Sequence, residues 1–236
     1  MRVAITRPQA DGERSATTLR AHGHEVLLAP LMRVEPITAD LSGAWSAIVV
    51  TSANAPGAIA DHPARTALLA LPVFAVGERS AAAARAAGFA NVAPAGGDVH
   101  DLAMLIAARH RDTMPLLYLA GEDRAADLVG ELARHGIKAE MRVVYRAVTT
   151  HFPPALIDAL RAGTVDAVLH YSKRSAENYV AGARAAGIEA DALAVRHLCL
   201  SAQVAAPLQG AGARRVAVAK HPEEAALIEL LGGSGG

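Results

Sequence analysis

The chain has 236 residues, 52% of them hydrophobic and mostly Ala, Val and Leu, with 23 basic side chains balanced by 23 acidic ones. That is enough apolar material for one large domain or two smaller ones, and the zero net charge excludes a basic-patch nucleic-acid binder or a protein drawn to anionic membranes by its overall field. One cysteine, Cys199, excludes an internal disulfide and reads as a small buried hydrophobe; with no stretch apolar enough for a signal peptide or a membrane span, a soluble cytoplasmic protein is expected.

In chain order, residues 3–6 read as a strand, 11–22 as a helix stopped by Gly23, and 25–29 as a second strand, a compact βαβ unit. Residues 31–37 are extended, with Pro36 barring helix and favouring an edge or a linker. The stretch Ala47-Ile48-Val49-Val50-Thr51-Ser52-Ala53-Asn54 is a short apolar run followed at once by hydroxyl and amide side chains. It predicts a buried parallel strand feeding a helix start, with Ser52 or Asn54 placed to cap the turn. A second strand-to-helix turn follows at Val76-Gly77-Glu78-Arg79-Ser80. Gly96-Gly97 then introduces a helix over 98–110 that Asp98 is placed to cap.

Residues 116–121 predict a strand leading through Glu122-Asp123-Arg124 into a helix that ends at 132–136, and 141–147 is again extended. Pro153 and Pro154 open a helix. Strands at 167–170 and 197–200 lead into Tyr171-Ser172-Lys173-Arg174 and Ser201-Ala202-Gln203-Val204. A last strand spans 216–219, Pro222 starts a terminal helix, and 232–236 is a flexible Gly-rich tail, whether native end, shortened linker or expression remnant.

The second half repeats the first. A short βαβ unit and a longer unit carrying two strand-to-helix turns both recur, so the order is short, long, short copy, long copy. Strands alternating with helices imply an α/β class with parallel sheets. Each short unit can join the long unit that follows it, or the first can join the last while the middle pair forms an inserted domain. The matched extended character of 32–38 and 141–149 favours the second grouping, because two antiparallel connectors can pair. It gives a discontinuous lobe 1 of 1–33 with 150–231, an inserted lobe 2 of 39–140, and linker strands at 34–38 and 141–149.

Ligands collect at the carboxyl ends of strands in such sheets. Those ends carry Arg7; Thr51, Ser52 and Ala53; Gly77, Arg79 and Ser80; Gly121 and Arg124; Tyr171, Ser172 and Lys173; and Ser201, Ala202, Gln203 and Val204. Free N–H groups, hydroxyls and a few cations are what carboxylates require, so a polyanion cleft is expected, although each Ser or Thr alone can serve simply as a helix cap. There is no G-x-G-x-x-G after a strand, no P-loop, no H-E-x-x-H and no paired C-x-x-C. No metal site is expected: His22-Gly23-His24 lies where a helix ends and reads as solvated, and His170 as a hydrogen-bonded core histidine. With no nucleophile beside a base, the chain looks built to position a reactive ligand.

Five segments together carry a resemblance: Val3-Ala4-Ile5-Thr6-Arg7-Pro8, Val49-Val50-Thr51-Ser52-Ala53-Asn54, Ala75-Val76-Gly77-Glu78-Arg79-Ser80 with Ala87-Gly88-Phe89, Leu119-Ala120-Gly121-Glu122-Asp123-Arg124, and Val144-Tyr145-Arg146. In order and spacing the chain resembles the uroporphyrinogen-III synthase family over nearly its whole length. The resemblance implies two flavodoxin-like lobes joined by a two-stranded linker, and a cofactor-free cyclisation of hydroxymethylbilane to uroporphyrinogen III, with loss of water and inversion of ring D, on the route to haem, sirohaem or cobalamin. It implies a polycarboxylate tetrapyrrole as the ligand, a monomer, and transient contact with the enzyme that makes hydroxymethylbilane. Tyr145 matches the tyrosine that the family implicates in activity and is the candidate catalytic residue. Ser80 stands where many members have Thr, and Ser201-Ala202-Gln203-Val204 departs from a Gly-Pro-Thr-Thr-like turn, leaving backbone donors but no hydroxyl at 203 or 204. The reading from another class is a non-catalytic two-lobe binding or regulatory module for a small anionic metabolite.

Overall fold

A computed structural model describes residues 1–123 and 126–232. The chain divides into two compact units, Met1–Arg33 together with the chain from Val148 onward, and Val34–Ala147. The strands are β1 (Arg2–Ile5), β2 (Glu25–Leu28), β3 (Met32–Pro36), β4 (Ile48–Val50), β5 (Val73–Ala75), β6 (Val92–Pro94), β7 (Leu116–Gly121), β8 (Ala139–Thr149), β9 (Ala167–His170), β10 (Arg196–Cys199) and β11 (Val216–Val218). The helices are α1 (Gln9–Ala21), α2 (Asn54–Ala58), α3 (Arg65–Leu68), α4 (Glu78–Ala86), α5 (Val99–Arg109), α6 (Leu128–Arg134), α7 (Pro154–Arg161), α8 (Lys173–Ala185), α9 (Glu189–Ala194), α10 (Ala202–Gly210) and α11 (Glu224–Gly232).

The first unit is built on a five-stranded sheet in the order β11-β10-β9-β1-β2, all neighbours parallel. Taken along the chain this is the 2-1-3-4-5 order of a doubly wound flavodoxin-like sheet. The second unit repeats it as β8-β7-β4-β5-β6, also parallel, with β3 added beyond β8 to give six strands. The repeat in the sequence is thus a repeat of topology: β1 answers to β7, and β9 to β4.

The strands read as unbroken apolar runs because both faces of each sheet are covered. In β1, Val3 and Ile5 meet Leu19 of α1 and Leu227 of α11, while Ala4 turns to the face covered by α7 to α10. In β4, Ile48 and Val50 pack with Ala55, Leu68 and Ala81, and Val49 packs with Leu102 and Leu128. Alternation with a period of two divides each strand between two cores.

β3 and β8 cross the boundaries between the units. The Ile37 N–H donates to the Val144 carbonyl at 2.8 Å and the Thr150 N–H to the Leu31 carbonyl at 3.0 Å, so these connectors run antiparallel. Arg146 reaches Glu35 at 3.3 Å.

Several boundaries differ from the sequence reading. The helix start expected after Ser52 is present and short: α2 has five residues, Pro56 among them, whereas its counterpart α8 has 13. The terminal helix starts at Glu224, two residues after Pro222, because the proline-bearing segment is still turning there. Gly232, expected in the tail, is the last residue of α11, and residues 233–236 of the tail lie outside the described residues. No helix among the described residues is long and apolar enough to cross a membrane.

Candidate functional site

In the second unit the carboxyl ends of β4, β5 and β7 converge with Tyr145 of β8 around a cavity of about 540 Å³. Its wall includes Thr51, Ser52, Gly97, Tyr118, Gly121 and Tyr145. Thr51 lies 2.8 Å from the Tyr118 hydroxyl, Oγ1 to Oη. Ser52 Oγ accepts the Asn54 N–H at 3.2 Å, so Ser52 steadies the turn while Ala53, the residue preceding α2, offers no side-chain cap.

Tyr145 owes its position to an irregularity in pairing. Ala120 of β7 is opposite Val143 of β8, but the next residue, Gly121, is opposite Tyr145, so β8 carries an extra residue there. Such a bulge re-aims the side chain that follows it. The phenol comes to lie over Gly121, where a Cβ would stand 2.5 Å from Cζ and 2.6 Å from the hydroxyl oxygen.

Gly77, in extended backbone at φ −169°, precedes α4 and gives its first turn no side-chain bond. Arg79 of that turn is exposed, while Ser80 is 4% exposed and turned into the unit. Arg124, the remaining candidate of this unit, lies outside the described residues. The cap expected of Asp98 is present: its carboxylate accepts the Asp101 N–H at 2.8 Å.

A neighbouring cavity of about 710 Å³ shares Tyr118 and Asp123 but also carries Glu122 and Asp127. Among the described residues it sets three carboxylates against one hydroxyl, which repels a polycarboxylate. The 540 Å³ cavity sets Thr51, Ser52, His100, Tyr118 and Tyr145 against Asp98 and Asp123. That makes it the better anion acceptor.

In the first unit the candidates fall into two groups. Arg7 and Tyr171 meet just past the ends of β1 and β9: the guanidinium carbon is 4.1 Å from the centre of the Tyr171 ring. Both engage the chain's own carboxylates. Glu224 Oε1 accepts from the Tyr171 hydroxyl at 2.9 Å, lies 3.4 Å from Arg7 Nη1, and also accepts from Ser15, while Asp11 is 3.8 Å from Arg7. Burial first, and the Glu224 charge further on, raise the Tyr171 phenol above its ordinary pKa.

The second group starts helices. Ser172 caps α8, accepting the Ser175 N–H at 3.1 Å, and Ser175 bonds back to the Ser172 backbone at 3.3 Å. Lys173 is exposed and 3.7 Å from Glu177. Ser201 precedes α10 without a side-chain bond to its first turn; Ala202 and Gln203 are exposed, and Val204 is buried in the core. The 201–204 turn therefore presents backbone rather than a threonine-like hydroxyl.

His170 is a fully buried core histidine, its Nε2 3.1 Å from Nδ1 of His197. Cys199 is buried and free. Among the described residues no group of three or more His, Cys, Asp or Glu side chains is arranged to hold a metal ion. Sequence reasoning missed Tyr118, Asp98 and His100 as cavity residues. Tyr118 was legible as the one aromatic interruption in the leucine-rich run 116–119.

Residues 13–229 match the family model described as uroporphyrinogen-III synthase HemD. Among solved structures, the uroporphyrinogen-III synthetase from Helicobacter pylori is 19% identical, covers 98% of each chain and superposes with a TM-score of 0.64. At that identity the likeness is one of fold. A mutant uroporphyrinogen III synthase from the extremely thermophilic bacterium Thermus thermophilus is 18% identical over 98% of this chain and 97% of its own, with a TM-score of 0.49. A comparison with curated proteins gave no match.

Proposed function

The chain belongs to the uroporphyrinogen-III synthase family, cyclising lyases that convert hydroxymethylbilane to uroporphyrinogen III with inversion of ring D and loss of water, and we propose how its residues carry the reaction out. The 540 Å³ cavity of the second unit receives the reacting end of the linear tetrapyrrole, with Tyr145 hydrogen-bonding the departing hydroxyl. A cavity of this size encloses a drug-sized molecule, so a tetrapyrrole fills it with only part of its length. Its carboxylates are taken up by the strand-end turns of each unit, in the first Arg7, Tyr171, Ser172, Lys173 and the 201–204 backbone, and in the second Thr51, Ser52, Ala53, Gly77, Arg79, the Ser80 backbone, Gly121 and Arg124.

The observation that carries this reading is the placement of Tyr145 by the β8 bulge over a residue with no side chain, at the edge of a cavity lined by hydroxyl donors. Loss of the hydroxyl leaves an electrophilic azafulvene that closes unaided to the wrong isomer. The protein therefore has to impose geometry, and orientation alone removes much of such a barrier. Holding the carboxylates folds the chain so that the ring-D carbon already bearing the last bridge attacks first, giving a spiro intermediate that rearranges. Binding energy is spent on shape.

We further infer action as a cytoplasmic monomer without a cofactor, transient contact with the enzyme that makes hydroxymethylbilane, and supply of haem, sirohaem or cobalamin synthesis. The even charge balance supports the absence of a nucleic-acid or membrane partner. The binding reading is tested by amide chemical-shift mapping with uroporphyrin III. Shifts at Thr51, Ser52, Gly77, Ser172 and Ser201 support it, and shifts confined to other surfaces contradict it.

A further inference from the structure

Tyr118 is 3% exposed, and its ring packs in the core between β7 and the helices α5 and α6. A phenylalanine would fill that space equally well, and a buried hydroxyl costs free energy unless it is used. Here it emerges at the carboxyl end of β7, where its oxygen lies 2.8 Å from Thr51 Oγ1 on the wall of the cavity that Tyr145 also borders.

Two hydroxyls share that contact, and either can donate. When Tyr118 donates, Thr51 keeps its own proton for a group in the cavity; when Thr51 donates, it has none to offer. A carboxylate in the cavity selects the first arrangement, since it accepts only, and a hydroxyl that is itself accepting becomes a stronger donor. Thr51 is β-branched, so the partner on β7 also holds it in one rotamer.

We propose that Tyr118 is a positioning residue that fixes the Thr51 hydroxyl as a donor to one carboxylate of the tetrapyrrole. The inference rests on the reading of the 540 Å³ cavity as the substrate site. It gives Tyr118, which itself borders that cavity, a role exerted through Thr51.

The test is steady-state formation of isomer III from freshly generated hydroxymethylbilane by the wild type, Tyr118→Phe, Thr51→Val, Thr51→Ser and the Tyr118→Phe/Thr51→Val pair. Tyr118→Phe and Thr51→Val should each raise KM by about tenfold or more, as expected for one hydrogen bond to a charged group, with a smaller change in kcat. The pair should do no worse than Thr51→Val alone, because on this proposal the Tyr118 hydroxyl affects KM through Thr51. Thr51→Ser should keep the wild-type KM. An unchanged KM in Tyr118→Phe overturns the proposal, as does an additive pair. A melting temperature lowered in Tyr118→Phe with KM unmoved assigns the hydroxyl to stability and also overturns it. A wild type that makes only isomer I overturns the reading of the site instead, so the two failures are distinguishable.

Discussion

Gly121 and Tyr145 sit opposite one another at the bulge in β8, and the phenol occupies the space that any side chain at 121 would need. A Cβ there would stand 2.5 Å from Cζ. Gly121→Ala should therefore displace the phenol rather than unfold the unit. Overpacking of this kind costs about 1–3 kcal/mol, and misplacement of a reacting group by about 1 Å costs up to about a hundredfold in rate. Stopped assays should show kcat lowered by about tenfold or more, with unfolding still cooperative. A wild-type kcat would show that the phenol position does not matter.

Tyr145→Phe removes only the oxygen. If the phenol assists departure of the hydroxyl, kcat should fall about a hundredfold, while the affinity for uroporphyrin III, measured by calorimetry, changes little. Equal turnover would leave Tyr145 a packing residue.

The pair His170 and His197 gives a pH dependence. Burial holds both imidazoles below their ordinary pKa, His197 to about 4, where the backbone carbonyls of Ala192 and Leu193 pull in the opposite direction; the neighbouring His197 depresses His170 further. The groups facing them are neutral: Tyr179 of α8, whose hydroxyl donates to the Ala192 carbonyl at 3.0 Å, and the Cys199 thiol, pushed up to about 12 by burial. A folded pKa below the unfolded one means that the unfolded chain takes up protons first. This contribution to stability is complete above about pH 6.5 and is lost as pH falls toward 4, on the order of 3 kcal/mol for His197. Urea unfolding at pH 7.5 and 5 should show the loss in the wild type and much less of it in the His170→Leu/His197→Leu protein. Equal losses would contradict the assignment.

If Arg7 binds a substrate carboxylate, as proposed, Glu224 competes for it. Glu224→Gln leaves the hydrogen-bonded geometry but removes the charge, and because Glu224 is 41% exposed the stability cost is at most about 1 kcal/mol. The affinity for uroporphyrin III should rise as Arg7 is released from its internal partner. An unchanged affinity removes Arg7 from the binding set.

Gly182 of α8 faces Phe152, and a Cβ there would come within 2.5 Å of Cδ2. Phe152 is itself held against Tyr179, ring centres 5.4 Å apart. Gly182→Ala should destabilise the first unit by about 1–3 kcal/mol in thermal unfolding. A stabilised protein would show that helix propensity outweighs the clash.

The strand-to-helix turns were legible in the sequence because their signals are local: an apolar run such as Ile48-Val49-Val50 followed by hydroxyls, or Gly23 and Gly136 in left-handed backbone at φ 80° and 73° ending their helices. The grouping that pairs β1 with β9 rests on the repeat and on the matched extended connectors 32–38 and 141–149, since sequence periodicity carries no information on which strands meet. What was not legible depends on register. The extra residue opposite Gly121, the reach of Tyr118 to Thr51, and the engagement of Arg7 by a carboxylate more than 200 residues away arise only once strands and helices are aligned. The repeat does not carry helix length: α2 stops after five residues where its counterpart α8 runs for 13.

The most direct test of the account is the isomer composition of the product formed from freshly generated hydroxymethylbilane. A protein that folds its substrate by gripping its carboxylates yields uroporphyrinogen III in large excess. Isomer I alone, as in the unaided closure, would contradict that account, and tight binding of uroporphyrin III beside it would mark a binding module instead.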